Sequence, residues 1–255
     1  MRLIDQKKVI ALAANRQLKA HQIRLDEIEA TQFEQIRKAL GEDLYDEIIA
    51  DKFSTETGAD FTIDISSFDI LTAYSTGLSI IGGGNKAITV INYTNGQITA
   101  VAHGLSTDDE IYIDGVAKDA NGNDIDELNK KLQYNEFKVT KVDNDIITLT
   151  SNIVNDYLKP PLAFYVFHKC FDRIWVELSD RGAGLLNTEG FSTVSNATRN
   201  SYKENLIKTA DSLLAIAIDY IYEQEYTNYG GNEGDEEEYL ETVKALGNKK
   251  RTNRF

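Results

Sequence analysis

The chain has 255 residues, 42% of them hydrophobic and 27% charged, which supplies enough apolar material for a real core. Its 41 acidic against 27 basic side chains give a formal net charge of −14; so acidic a surface repels a phosphate backbone, which argues against tight nucleic-acid binding but not against surrounding DNA without gripping it. A single cysteine, Cys170, rules out an intrachain disulfide or a thiolate metal site, and the scattered His21, His103 and His168 are thin material for zinc or His-based catalysis.

The hydrophobic period changes three times along the chain. Residues 5–52 read as helical. Lys7–Ala14 suggests a short first helix, and Asp26 looks like an N-cap with Glu29 three residues on, the spacing of a capping box. Ile28, Phe33, Ile36 and Leu40 roughly follow on one face. Gly41 punctuates, and Leu44, Tyr45, Ile48 and Ile49 carry a second amphipathic set. Residues 53–86 are rich in Ser, Thr and Gly and end in Gly82-Gly83-Gly84, which reads as a hinge into a new module.

Residues 87–150 read as all-β. Ile88, Val90 and Ile91 start a strand, and Asn95-Gly96 between Tyr93 and Ile98 is a strong hairpin signal. Strands follow around Ile98–Val101, Glu110–Ile113, Phe137–Val142 and Ile146–Thr150, with a polar loop over 118–131. Five or six such strands fit a small barrel or sandwich. Helical text resumes at Pro160 and Pro161, which suit a first helical turn. Leu162–Leu178 is apolar nearly all round, as in a helix buried on several sides. Residues 180–195 read as a hairpin or loop, and the longest helix spans about Thr198–Tyr226, with Leu206, Ala210, Leu213, Ala217 and Ile221 at helical spacing. Gly230, Gly231 and Gly234 precede a charged tail.

The expected fold is therefore α+β: a helical core of about four to five helices (1–86 and 151–230), an inserted small all-β barrel or sandwich (87–150), and a flexible C-terminal arm (231–255). No apolar run approaches the ~20 residues of a membrane span, and Met1–Asp5 lacks the apolar stretch of a signal peptide. A cytoplasmic site of synthesis and no membrane partner are expected.

Three stretches resemble a known family. Asp26–Gly41 with Asp43–Glu47, Leu158–Tyr165, and the Asn187-Thr188-Glu189 turn with the helix 198–226 are similar, in order and spacing, to head–tail adaptor proteins of crAss-like and related Bacteroidetes tailed phages. Within the insert, Gln97–Ser106, Asp109–Val116, Glu127–Asn129 and Phe137–Thr140 resemble a small β repeat of phage tail and neck proteins. Asp108-Asp109 stands where that repeat usually has Gly-Asp, and the loop 117–131 is longer than typical.

The resemblance implies a helical adaptor that docks beneath the portal as a dodecameric ring, lines the DNA channel and presents a surface to tail components. Its partners would be the portal protein, neighbouring copies of itself, other neck or tail proteins, and double-stranded DNA passing without specific binding. It would reside in the virion neck after assembly in the host bacterial cytoplasm. The segment reaching the portal would be 235–255, with Tyr239, Leu240, Leu246, Lys249, Lys250, Arg251, Arg254 and Phe255 as docking residues. Phe164, Phe167, Phe171 and Trp175 form a stripe expected in the core or at the subunit interface.

Candidate chemistry is sparse, so no enzyme and no cofactor are expected. His103 before Gly104 has no Ser or Cys nucleophile paired with it by motif and reads as a turn histidine. His168 and Cys170, two apart on one helix, point to different faces, and Cys170 reads as a small core hydrophobe. Asp119, Asn121 and Asn123 alternate like the start of a calcium loop, but Asp124 and Lys130 stand where Gly and Glu are needed, so a solvated turn is the default. Gly82–Lys86 lacks phosphate-loop spacing. Asp180-Arg181-Gly182 with Glu177 reads as loop capping. The run Asp235–Glu238 reads as solvated, or as a channel lining that keeps DNA mobile. The rival reading is a receptor- or carbohydrate-binding module, with Tyr93, Tyr112 and Tyr134 of the insert as aromatic platforms; a hydrolase using an Asp/Glu pair ranks third, because no motif fixes such a pair.

Overall fold

A computed structural model describes residues 2–13, 18–53, 61–62, 72–74, 77–81, 85–92, 96–118, 121–180, 185–187, 190–192 and 196–224. The fold is α+β and divides into two compact units, one formed by 1–49 with 157–255 and the other by 50–156.

The helical unit begins with α1 (Gln6–Ala13) and α2 (Leu25–Thr31). A π-helical stretch (Gln32–Arg37) carries α2 into the single turn α3 (Lys38–Leu40), and α4 is Glu42–Ala50. Gly41, at φ 82°, breaks the run between α3 and α4. The cap of α2 lies upstream of the expected Asp26: Arg24 is the N-cap, and Glu27, not Glu29, reaches back to the Arg24 N–H at 3.4 Å. Asp26 instead pairs with the Arg24 guanidinium at 2.6 Å. A carboxylate suits the first turn in either position, so composition alone does not fix the register.

α6 (Lys159–Asp180) is the central helix and α7 (Asn196–Glu223) the longest. Pro160 and Pro161 fall just inside α6, after a π-helical turn at Val154–Leu158. Their missing N–H groups fall where the wider turn gives way to the α-helical ladder. α6 is in contact with α1, α2, the π stretch and α7. On it, Cys170 and Arg173 bond Glu27 of α2, while Tyr165, Phe171 and Asp172 meet Asp211, Tyr202 and Arg199 of α7. Near-opposite faces of one helix are thus covered by different neighbours. β10 (Leu185–Asn187) and β11 (Gly190–Ser192) pair as a short antiparallel hairpin.

The second unit holds the sheet: β1 (Phe61–Thr62), β2 (Thr72–Tyr74), β3 (Leu78–Ile81), β4 (Lys86–Ala87), β5 (Val90–Asn92), β6 (Gln97–Thr99), β7 (Glu110–Gly115), β8 (Glu136–Lys141) and β9 (Ile146–Ser151). All pairings are antiparallel, in the order β2-β5-β6-β9-β8-β7-β3-β4, with β1 added on β9. The β5–β6 hairpin pairs Asn92 with Gln97, and Gly96 takes φ 69°, the left-handed conformation that the Asn-Gly signal anticipates. Alternation places Ile111 and Ile113, Phe137 and Val139, and Ile147 and Leu149 on one buried face.

This unit starts at Ala50 rather than at residue 87. Leu78 and Ile80 are core residues, and β3 pairs with β7 along four residues. The Ser/Thr/Gly-rich text that reads as a hinge supplies strands whose alternation is too short to stand out. The stretch 118–131 likewise holds a helix, α5 (Asp126–Leu132), whose Leu128 and Leu132 join the sheet core. Among the described residues, no helix is long and apolar enough to cross a membrane.

Candidate functional site

In the sheet unit, two side chains pin the loops. Asn129 on α5 is 2% exposed. Its Oδ1 accepts from the Ala117 N–H at 2.6 Å and its Nδ2 donates to the Ala117 carbonyl at 3.2 Å, so one side chain satisfies the strand exit as a paired strand would. Gln133 donates to the Gly115 carbonyl at 2.6 Å. Gly115 itself has φ 101°, and a Cβ there would stand 1.7 Å from the Gly77 carbonyl oxygen.

His103 is fully buried. Its Nδ1 accepts from the Leu105 N–H at 2.9 Å, which assigns the proton to Nε2, 3.0 Å from the Asp143 carbonyl. Both ring nitrogens are therefore spent on backbone, and the imidazole ties the 101–105 turn to the β8–β9 hairpin. Asp145 Oδ1 adds a bond from the Ala102 N–H at 2.7 Å. At the loop with calcium-like spacing, the Lys118 ammonium lies 3.4 Å from the Gly122 carbonyl and 3.5 Å from Asp124 Oδ1, a local cation among those oxygens. Asp119 lies outside the described residues.

In the helical unit a polar cluster joins α2 to α6. Glu27 Oε2 accepts from the Cys170 thiol at 2.8 Å and from Arg173 at 2.8 Å, and Arg173 also reaches the Gln22 carbonyl at 2.9 Å. Burial works to raise the Glu27 pKa, but the bonds from Cys170 and Arg173 outweigh it and hold the carboxyl below its ordinary value. Burial, with Glu27 beside it, pushes the Cys170 thiol up to about 12, so it stays protonated. A second polar seam joins α6 to α7. Asp172 binds Lys203 at 2.5 Å and Arg199 at 2.6 Å, and these bonds lower its pKa. Tyr165 donates to Asp211 at 2.7 Å. Burial, aided by Lys203, lowers the pKa of His168 against the opposing pull of Asp172 and Asp211.

Of the aromatic stripe, Phe167 and Phe171 are buried, in edge-to-face contact at 6.0 Å, and Phe171 also meets Tyr202 at 5.3 Å. Phe164 is half-buried, and the side chain of Trp175 lies outside the described residues. So do the arm residues Tyr239, Leu240, Leu246, Lys249, Lys250, Arg251, Arg254 and Phe255, the run 235–238, the glycines 82–84 and the 177–182 cluster's side chains. Tyr112 and Tyr134 are half-buried in the sheet unit, and Tyr93 lies outside the described residues.

The sequence reading put Phe33 on the buried face, and there the structure differs. The buried ridge is Ile28, Gln32, Ile36 and Leu40. Gln32 enters it because Oε1 accepts from the Leu3 N–H at 2.8 Å and Nε2 donates to the Tyr45 hydroxyl at 2.8 Å. Phe33 lies one ridge over and is 55% exposed, with the Arg37 guanidinium 4.5 Å above its ring. On α7, Ile216 and Tyr222 are likewise exposed, at 56% and 60%. Both depart from the spacing of Leu206, Ala210, Ala217 and Ile221, and that departure is the sequence signal that marks them. Among the described residues, no group of three His, Cys, Asp or Glu side chains gathers as a metal site would require.

Residues 115–238, running from the end of β7 past α7, match a family of unknown function, DUF6712. No curated protein and no solved structure matches the chain.

Proposed function

We propose that the chain is a non-enzymatic structural subunit of a tailed-phage particle: a head–tail connector ring protein that docks under the portal, lines the DNA channel and joins capsid to tail. In this reading the helical unit is the adaptor core, the sheet unit is an insertion within it, and 231–255 is the portal-directed arm. Its partners are the portal, neighbouring copies, other neck or tail proteins, and DNA in transit; its place is the virion neck. The observation that supports the reading is the common location of the resembling stretches. Asp26–Gly41, Asp43–Glu47, Leu158–Tyr165 and the long C-terminal helix come from both sides of the sheet unit, and each lies wholly or mainly in the one helical unit. A net charge of −14 suits a wall past which DNA must slide.

Quantitative mass spectrometry of purified virions tests it. A copy number equal to the portal's is expected, and absence from virions or a ratio far from one refutes the reading. Deleting 235–255 should abolish portal attachment and leave the fold intact; retained attachment removes the docking role of the arm.

A further inference from the structure

A closed ring of identical subunits requires two different, complementary surfaces on each copy, because a head-to-tail contact never presents one patch to itself. The helical unit carries two such faces. The first is the i, i+4 ridge Leu25–Glu29–Phe33–Arg37 along α2 and the π-helical stretch, where Leu25 is 43% and Phe33 55% exposed. Arg37 covers the Phe33 ring, and the exposed Lys38 follows on α3. The second is the solvent face near the end of α7, where Ile216 and Tyr222 bracket the exposed Asp219, with exposed Glu223 beside them. On the first face Arg37 is already paired with Glu42 and Glu29 lies near Arg2, so the cation it offers beside the Phe33 ring is Lys38; the other face is aliphatic and aromatic with two carboxylates.

The placement of the faces fits a repeat. α6 has Cys170 and Arg173 on α2, and Phe171 and Asp172 on α7, so the two exposed faces lie on opposite flanks of α6 within one compact unit. Phe33 and Arg37 also lie on the π-helical stretch, a departure from α geometry frequent at functional positions. We propose that neighbouring copies of this chain meet head to tail through these faces, the Phe33 ridge of one copy receiving the Ile216–Tyr222 face of the next. Phe33 packs against Ile216 and Tyr222, and Lys38 meets Asp219 and Glu223. The inference gives the ring reading its subunit contact and rests on that reading for its setting.

The test is cross-linking of full-length protein carrying Lys38→Cys and Asp219→Cys together, treated with a short bis-maleimide reagent. Each single variant and the unaltered chain, whose Cys170 is buried, serve as controls. Concentrated purified protein and virions are both treated. A ladder of dimers, trimers and higher multimers from the double variant, with none from the controls, is expected in at least one sample. Phe33→Asp added to the double variant should cut the ladder about tenfold or more, the factor given by a 1.4 kcal/mol loss, with an unchanged circular dichroism spectrum. No ladder in solution and none in virions overturns the contact, and so do dimers from a single variant, which report a self-facing patch. Virion content is scored separately by mass spectrometry. Chain present in virions with no ladder in either sample removes this contact and keeps the neck reading; a ladder in solution with no chain in virions keeps the contact and removes the neck reading.

Discussion

Asn129→Ala is expected to destabilise the sheet unit by about 2–4 kcal/mol. The substitution deletes two hydrogen bonds from a side chain that is 2% exposed. The Ala117 N–H, at a fully buried residue, is then left without its 2.6 Å acceptor, and a buried orphan donor costs roughly 1–3 kcal/mol. The Ala117 carbonyl keeps a bond from the Ile125 N–H at 3.0 Å, so there only a net contribution of about 0.5–1.5 kcal/mol is lost. The chain's sole tryptophan, Trp175, belongs to the helical unit and would not report this loss. Amide hydrogen exchange of β7, α5 and β8 does report it, and a change below about 0.5 kcal/mol there would refute the reasoning. Asn129→Asp separates the bonds from simple packing. A carboxylate still accepts from Ala117 but opposes its carbonyl, which raises the folded pKa above the unfolded value. The Asp variant should therefore recover stability relative to the parent as pH falls through the raised pKa toward the ordinary value near 4. An Asp variant with no such recovery would mean that the bond to the carbonyl contributes nothing.

Gly115→Ala combines φ 101° with a Cβ 1.7 Å from the carbonyl oxygen of Gly77, the residue before β3, so backbone must move and the β3–β7 ladder must open. A loss of at least ~3 kcal/mol is expected in denaturant titration followed by circular dichroism, and parental stability would contradict the geometry. The lowered pKa of Glu27 means that its contribution is complete above the unfolded carboxyl value of roughly 4.3 and disappears as pH falls through the folded value. Glu27→Gln should be less stable at neutral pH and show a shallower acid limb by Trp175 fluorescence; an unchanged limb refutes the cluster's role. The lowered pKa of His168 makes the helical unit lose stability as pH drops from about 6.5 to the folded value, so His168→Gln should flatten that stretch alone. Phe33→Ser should shift stability by no more than about 0.5 kcal/mol, because its ring is 55% exposed; a larger loss would place the ring in the core.

How far the fold could be read from sequence depended on the strength of each local signal. Ile111, Phe137 and Ile147 sit in runs long enough to alternate visibly, and the strands around them lie where the sequence puts them. β1 and β2 have two and three residues, too few for a period to form, and their place in the sheet comes from pairing with β9 and β5. α5 leaves little trace in the sequence because Asp126–Leu132 offers only two core residues, Leu128 and Leu132, in polar text. Being apolar and near Ile36, Phe33 reads as inward, whereas the structure gives that ridge to Gln32, whose amide finds two long-range partners. No local pattern encodes such a choice, since it depends on Leu3 and Tyr45 arriving from elsewhere in the chain. His103 likewise reads as a turn residue from its neighbours alone, while its Nε2 meets the Asp143 carbonyl forty residues away.

The same distinction governs what each likeness can mean for function. His103 and Asn129 lie in the stretches that resemble a β repeat, and both spend their polar atoms on backbone. The match over 115–238 runs through Gly115, Asn129, the aromatic contacts of α6 and the buried face of α7, residues that pack within one unit or the other. A match over a stretch that builds the fold speaks to architecture first. Residues that no fold requires carry the functional question, and here they are Phe33, Ile216, Tyr222 and Asp219 on exposed helix faces. Variants at Asn129 and Gly115 should therefore fail by unfolding in any assay. Variants at Phe33 and Ile216 should fold normally and fail only where copies must meet, and that separation can be measured on the same purified chains.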